Sequence, residues 1–510
     1  MRHLLISSFR VKSKACSTTF RHTCIAPTGG QTLRLFFALS LILTSLVVLE
    51  KARQGINFTR LEVGKTPIIH YAKAGADGPV VVIAHGFAGS QQMMQGYALP
   101  LARAGYRVYA FDFLGHGRHT LPMSGDVSSV DGTTRLLVEQ TNEVIDEVIQ
   151  DDVAFALLGH SMATDILVRV AAERSDIGPV VLLSAFSQEI DVRKPDDLLL
   201  VAGAWEPSLR AFARTSLQMV DAGAIEGETA FNGSVSRRAV TAPFSDHVSI
   251  LQSRVARSEA LAWIDQAYGR KSDISILHTG WAILGLLAGL VVIFHPVSKL
   301  LPKRAFDIPS LTLGQAALVL LMPMVVAPIS AVTLNTDILP VLVADYLVLH
   351  LFVFGIVQLA ILRIFSIPLG QPFFPAVGVL LLACAIFGFA LDRYVANFWP
   401  TGGRLWIIAA MAIGAIPYMI ADSVLTVSQT FLRRSLTRLS LLTSLGIAVA
   451  LDFEALFFLL LIAPVLVLFY LVFGLMGRQI ANRVGPLSSG LALGLVLAWA
   501  LGVSFPLFRV

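Results

Sequence analysis

The sequence predicts two parts that live in different solvents. The first is an α/β domain built on an eight-stranded, mostly parallel, doubly wound sheet, and the second is an all-α polytopic transmembrane bundle. Three observations predict this. Of 510 residues, 55% are hydrophobic and 14% charged, against about 25% charged in an ordinary soluble chain. About 19 of the 73 charged residues fall after residue 274, which leaves the earlier half with soluble composition. Strand and helix patterns alternate from Phe58 to Tyr268, and long apolar runs follow Ser275.

Residues 1 to 34 form a basic, acid-free leader containing Arg2, Arg10, Lys12, Lys14, Arg21 and Arg34. The apolar run 35 to 49 follows, so the segment reads as a signal anchor with a cytoplasmic leader. A cleaved signal peptide is the rival, but Glu50 and Lys51 stand where a small-residue cleavage site belongs. The Arg- and Ser-rich composition also keeps a mitochondrial transit peptide open. The net charge of +5 comes from this leader and from short loops between apolar runs, which argues against nucleic-acid binding. Cys16, Cys24 and Cys384 are the three cysteines, too few for a disulfide framework or a Cys-based metal site.

Strands are expected at Phe58 to Val63, Ile68 to Ala72, Val80 to Ala84, Val108 to Phe111, Ala154 to Leu158, Val180 to Ser184, Leu198 to Ala202 and Val235 to Thr241, with helices between the later six. One domain of residues 58 to 268 accommodates them. Apolar runs follow at about 279 to 296, 311 to 333, 340 to 362, 374 to 391, 404 to 424, 438 to 452, 455 to 476 and 487 to 508, giving a membrane domain of residues 279 to 508. The stretch 438 to 476 is either one long helix or a hairpin turning at Asp452, Phe453 and Glu454. Charge alternation selects the hairpin. With nine spans, Lys299, Lys303, Arg304, Arg363, Arg433, Arg434, Arg438, Arg478 and Arg483 share the side of the leader, while Asp337, Asp392, Arg393, Arg404 and Asp452 lie opposite, with residues 50 to 278. In a bacterium this places the α/β domain on the periplasmic side of the inner membrane.

The strand ending at Leu158 runs into Gly159, His160, Ser161, Met162 and Ala163, and a helix is expected over Asp165 to Glu173. A strand, a sharp turn and a helix around a serine form the setting of an activated nucleophile. The pattern is GxSxA, with Ala163 keeping the last position small. The strand Val80 to Ala84 ends in His85, Gly86 and Phe87, where an oxyanion loop belongs, so the backbone N–H groups of Phe87 and Met162 are the candidate oxyanion donors. Asp112 to Gly117 (DFLGHG) supplies a further tight turn at the same sheet edge.

These residues resemble the α/β-hydrolase superfamily, particularly its lysophospholipase, monoacylglycerol lipase and serine-aminopeptidase-like branch, over residues 58 to 268. The resemblance implies the chain order nucleophile, acid, histidine. It points to Glu206, after the strand Leu198 to Ala202, as the acid, and to His247, after the last strand and before a helix Val248 to Tyr268, as the base. Asp191, Asp196 and Asp197 read as solvated loop charges and Asp246 as a turn residue. His85, His116, His119 and His160 belong to loops around the pocket and read as positioning or surface residues, while His85, Gly86 and His160 are also the candidate substrate contacts.

Many relatives carry a helical cap between the sixth strand and the acid. Ser184 to Leu198 is too short for one, so the site is expected to be open to bulky lipid or cell-envelope esters, and esters are favoured over peptides. Asp345, His350 and Asp422 are ionisable residues within predicted spans and are expected to face the bundle interior. No cofactor motif is present, and none is expected. The expected function is that of a membrane-bound serine hydrolase acting on a small-molecule or lipid ester. The alternative is an inactive hydrolase-like binding module attached to a transport or anchoring domain.

Overall fold

The computed structural model describes residues 29–126, 130–149, 154–334 and 338–509. Most of the basic leader, with Cys16 and Cys24, lies outside the described residues, as does Asp337. The chain begins with α1 (Gly29–Arg53), β1 (Ile56–Val63), β2 (Thr66–Lys73), β3 (Val80–Ala84), α2 (Gln95–Arg103), β4 (Arg107–Phe111) and α3 (Arg135–Val148). It continues with β5 (Phe155–His160), α4 (Met162–Glu173), β6 (Ile177–Leu183), β7 (Asp197–Gly203), α5 (Pro207–Gln218), β8 (Thr229–Asn232), β9 (Val235–Ala242) and α6 (Arg254–Ala267).

The sheet order is β1-β2-β4-β3-β5-β6-β7-β9-β8. Strands β4, β3, β5, β6, β7 and β9 run parallel, and β1, β2 and β8 add antiparallel edges. β3 and β5 are buried along their whole length, because helices cover both faces, and such strands read as unbroken apolar runs. Among the described residues the sheet therefore has nine strands rather than the expected eight. The additional one, β8, is four residues long with only Ala230 buried, too short to show a period. Gly233, at φ 61°, turns it into β9, and the Asn232-Gly233 pair was its only local signal.

Two helical expectations also shift. No helix joins β6 to β7, so helices do not fill every gap between the later strands. The expected helix Val248 to Tyr268 is broken into a short helical turn, Ser249–Gln252, and α6, because Ser253 is extended and its side chain accepts the N–H of Ala256 as an N-cap.

The second part comprises α7 (Thr279–Ser298), α8 (Leu313–Thr333), α9 (Ala344–Ile364), α10 (Phe374–Tyr394), α11 (Arg404–Thr426), α12 (Phe431–Leu451), α13 (Phe453–Leu456), α14 (Leu459–Val484) and α15 (Pro486–Ser504). Counting α1, nine helices among the described residues are long and apolar enough to cross a membrane, and the chain is a membrane protein. The stretch 438 to 476 is divided as charge counting required: α12 stops at Leu451, Asp452 caps α13 by accepting the Ala455 N–H, and α14 starts at Leu459. α1 packs against α7, where Gly285 makes room, since a Cβ there would lie 2.5 Å from Ser45 Oγ.

Helix ends alternate between two sides. On the side of the sheet, Arg393 pairs with Glu50 at 2.8 Å and Arg118 with Asp392 at 2.7 Å. The ring of Phe458 lies 5.7 Å from that of Phe87. On the far side, Arg34 meets His295 at 3.3 Å and Arg483 donates to the carbonyl of Lys299. The two parts are joined by backbone as well. Met123 and Phe508 form a parallel bridge, and the buried guanidinium of Arg404 donates to the carbonyls of Gly115, Gly502 and Phe505. The helical part is thus docked on the loops that follow β3 and β4, at the carboxyl edge of the sheet.

Candidate active site

β5 delivers the chain to Ser161, which sits at φ 55°, ψ −119°, a backbone conformation that a non-glycine residue holds only when its surroundings compel it. They do. The Ser161 N–H donates to the Leu183 carbonyl at 3.0 Å, and its own carbonyl accepts the Thr164 N–H. A Cβ on Gly159 would come within 2.7 Å of Leu167 and 3.3 Å of the Ala163 Cβ, so β5 and α4 touch and position 163 must stay small. Three other non-glycine residues with positive φ stand at the same edge: Ala88 after β3, Ser184 after β6 and Phe244 after β9.

The loops after β7 and β9 are tied together by Ala204 N–H to Ala242 O and Trp205 N–H to Ser245 O. That pairing brings Glu206 and His247 side by side. His247 Nδ1–H donates to Glu206 Oε1 at 2.6 Å, and Ser161 Oγ–H donates to His247 Nε2 at 2.7 Å. The other carboxylate oxygen of Glu206 accepts from Ser184 Oγ and from the Gly203 N–H, both at 2.7 Å. Burial by itself pushes this carboxyl's pKa up, but the hydrogen bonds from His247, Ser184 and Gly203 outweigh it and hold Glu206 below its ordinary value. A charged Glu206 keeps the proton on Nδ1 of His247 and leaves Nε2 free to accept from serine.

Ser184 was not picked out from the sequence. It lies at the end of an expected strand, but nothing in the spacing links it to a carboxylate 22 positions on. Asp246 is a turn residue, accepting the N–H groups of Val248 and Ser249. Asp191 accepts two backbone N–H groups in its own turn. Asp197 is instead partly buried in β7 and takes a hydrogen bond from Ser236.

The candidate substrate contacts also have structural partners. His85 is 1% exposed, with Nδ1–H donating to the Gly86 carbonyl and Nε2 accepting the Phe113 N–H. Both ring nitrogens are engaged by the backbone of the two loops. Gly86 lies under the serine, where a Cβ would fall 2.9 Å from Ser161 Cβ, so it sets how close the Phe87 backbone comes to the nucleophile. His160 is buried, and its Nε2–H donates to the backbone carbonyl of His247 at 2.7 Å. It therefore positions the histidine loop. His116 and His119 are buried too, each bonded to nearby backbone. Met162 is the first residue of α4, where the N–H groups lack helical partners.

Residues 76–229 match the family described as serine aminopeptidase, S33, a Hydrolase_4 domain. No curated protein matches the chain. Among solved structures, the chain is similar to a predicted CIB-like hydrolase from Thermoplasma acidophilum (14% identity, TM-score 0.32, 41% of this chain and 96% of that one). It is also similar to a membrane phospholipase A described as a bacterial virulence factor (14% identity, TM-score 0.31, 47% and 94%). A third is the epoxide hydrolase VrEH1 from Vigna radiata (25% identity, TM-score 0.22, 26% and 41%). Residues 76–229 thus match an α/β-hydrolase family model, and the mixed sheet they belong to is joined to a helical membrane part.

The burial of His160 has a measurable consequence. Desolvation, and then the neighbouring His247, lower its pKa to about 4, against about 6.5 in an unfolded chain. A depressed folded pKa means that the unfolded state takes up the proton first. Stability is then complete above pH 6.5 and is lost as pH falls toward 4, by about 3 kcal/mol from this group. The melting temperature of the full chain is expected to fall over that window, and His160→Asn, whose amide can still donate to the His247 carbonyl, should remove this share of the fall. An unchanged slope in the variant would assign the acid sensitivity to other buried histidines.

Proposed function

We propose that this chain is a membrane-bound serine hydrolase that cleaves carboxylic ester bonds of lipid substrates through an acyl-enzyme on Ser161. The observation that carries the reading is the continuous hydrogen-bond chain Ser161–His247–Glu206 at 2.7 and 2.6 Å, mounted on a strained turn at the carboxyl edge of an α/β sheet. Ser161 Oγ attacks the ester carbonyl while His247 Nε2 takes its proton, and Glu206 stabilises the resulting imidazolium. The carbonyl oxygen becomes an oxyanion facing the N–H groups of Phe87 and Met162. Collapse expels the alcohol, which receives the proton from His247. Water then repeats the sequence on the acyl-enzyme, releasing the acid and restoring Ser161.

The apolar surroundings favour a lipid. A cavity of about 140 Å³ has Phe87 and Ala88 on one wall and Val341, Phe458, Leu461 and Phe508 of the helical part on another. Its wall residue Phe87 directly follows Gly86, the glycine packed against Ser161, and its apolar lining is suited to an acyl chain. On the uncovered half of the rim, Phe186, Trp205, Phe244 and Val248 are exposed. The name of the matched family raises a second reading, peptide cleavage. The apolar rim favours esters over a free α-amine, which would need a carboxylate to hold it.

The S33 domain is assigned to the periplasmic side of a bacterial inner membrane, because the basic loops gather on the far side of the bundle. A cysteine placed at the exposed Ser175, in a background without Cys16 and Cys24, should be labelled in intact, outer-permeabilised cells. Labelling only after inner-membrane lysis would reverse the topology.

Ser161→Ala should abolish both fluorophosphonate labelling and ester hydrolysis. Glu206→Gln and His247→Ala should each cost on the order of 10⁴-fold in rate while leaving the protein folded. Full activity of the His247 variant would overturn the triad.

The chain-length profile tests the cavity separately. Leu461→Trp, which fills it from the helical side, should lower kcat/KM on long-chain nitrophenyl esters and spare the acetyl ester. Four buried methylenes at about 0.8 kcal/mol each correspond to roughly 200-fold in selectivity. Identical profiles in variant and parent would make the bundle an anchor only.

A further inference from the structure

A second cavity lies at the opposite end of the bundle, between the far-side ends of α11, α12, α14 and α15. Its volume is about 400 Å³. Arg434, Arg438 and Arg478 line it, and Asp422 is the one acid in its wall among the described residues. Asp422 is already engaged: Arg438 reaches it at 3.4 Å, and the same guanidinium stacks over the Tyr470 ring at 4.5 Å. Gly474 leaves the space that this guanidinium uses, since a Cβ there would be 3.2 Å from Arg438 Nη2. Two positive charges remain in excess. Among the described residues, Arg434 donates to the Gln429 carbonyl alone, and the ion pair of Asp422 is with Arg438 and not with Arg434 or Arg478.

The remaining wall is apolar and opens outward. Leu439, Leu471 and Leu475 are 54%, 58% and 39% exposed, although they lie in helices that span the bilayer. The cavity is therefore a groove with a cationic end near the membrane surface and an apolar flank facing hydrocarbon. Arg433 and Arg434 also stand in the first turn of α12, where positive charge opposes the helix dipole, so helix stability does not explain them. The general bias of basic residues to one membrane side accounts for their side, but not for their convergence on one cavity.

We propose that this groove binds an anionic phospholipid, with the headgroup phosphate held by Arg434 and Arg478 and an acyl chain laid along α12 and α14. Guanidinium groups suit phosphate because two parallel N–H donors meet two oxygens. Basic pockets between transmembrane helices hold lipid headgroups by this chemistry. The apolar opening selects a lipid over a soluble anion, since a free phosphate would leave the leucine flank to the bilayer. The site is separate from Ser161 and does not depend on the ester-hydrolase reading.

The test uses the full-length protein in nanodiscs of mixed phosphatidylglycerol and phosphatidylcholine, with retained lipid measured by native mass spectrometry after mild delipidation. The parent should retain phosphatidylglycerol preferentially. The double variant Arg434→Ala, Arg478→Ala should lose about 30-fold of that preference, from about fivefold for each cation at a lipid surface. The double lysine variant keeps the charge and should keep part of the preference. Melting temperature and gel filtration in detergent report whether each variant folds. No preference in the parent, or an undiminished preference in a folded alanine variant, would overturn the site. Displacement of phosphatidylglycerol by millimolar inorganic phosphate alone would overturn the lipid and leave a soluble-anion pocket.

Discussion

The reversal at Ser161 is the constraint around which the sheet edge is organised. A non-glycine residue at φ 55° is strained, and the strain persists only because β5, α4 and the neighbouring strand ends leave no relaxed alternative. Gly159 and Ala163 must be small because β5 and α4 touch there. Gly86 must lack a side chain because the serine Cβ occupies that space. Leu183 at the end of β6 fixes the turn through its carbonyl, and Ser184, next in line, supports the acid that orients the histidine. The packing around this one residue thus limits the side chains permitted at Gly159, Ala163 and Gly86.

A second dependence runs from the sheet into the helical part through Asp112. This carboxylate is fully buried and accepts the N–H and side-chain amide of Gln91 and the N–H of Arg118. The turn Asp112 to Gly117 wraps around it so closely that a Cβ at Gly117 would fall 2.2 Å from Asp112 Oδ1. Held in this way, the turn presents Arg118 to Asp392 and the carbonyls of Gly115 and Gly117 to Arg404 and Asn397. A buried cation is costly unless polar groups meet it. Arg404, with three carbonyl partners, couples the docking of the two parts to the shape of this turn.

The short β6–β7 connection has a structural counterpart. A sheet edge without its own cap exposes Phe186, Trp205 and Phe244, and the helical part covers only the half of the rim reached by Phe458 and Phe508. Apolar enclosure of the loop after β3 therefore comes from residues distant in the chain, Val341, Phe458 and Phe508 among them. The same bundle, at its other end, gathers Arg434, Arg438 and Arg478 around one cavity.

The sequence by itself determined the division into an α/β part and nine apolar helices, because burial on both faces of a strand and immersion in lipid each leave a compositional period that local reading detects. It also set Ser161, Glu206 and His247 at the ends of three strands, since parallel strands deliver their loops to one edge. The hairpin at Asp452 was legible from charge alternation alone. Tertiary structure decided the rest. β8 was too short to carry a period, and the break before α6 depended on a single serine cap. The roles of His85 and His160 turned on which backbone carbonyls their rings meet, 1 and 87 residues away. The 2.7 Å between Ser161 and His247, the Ser184 support of Glu206 and the covering of Phe87 by Phe458 are contacts between segments distant in sequence. Such contacts arise only when the sheet closes its order and the bundle docks on it, so no local pattern could have specified them.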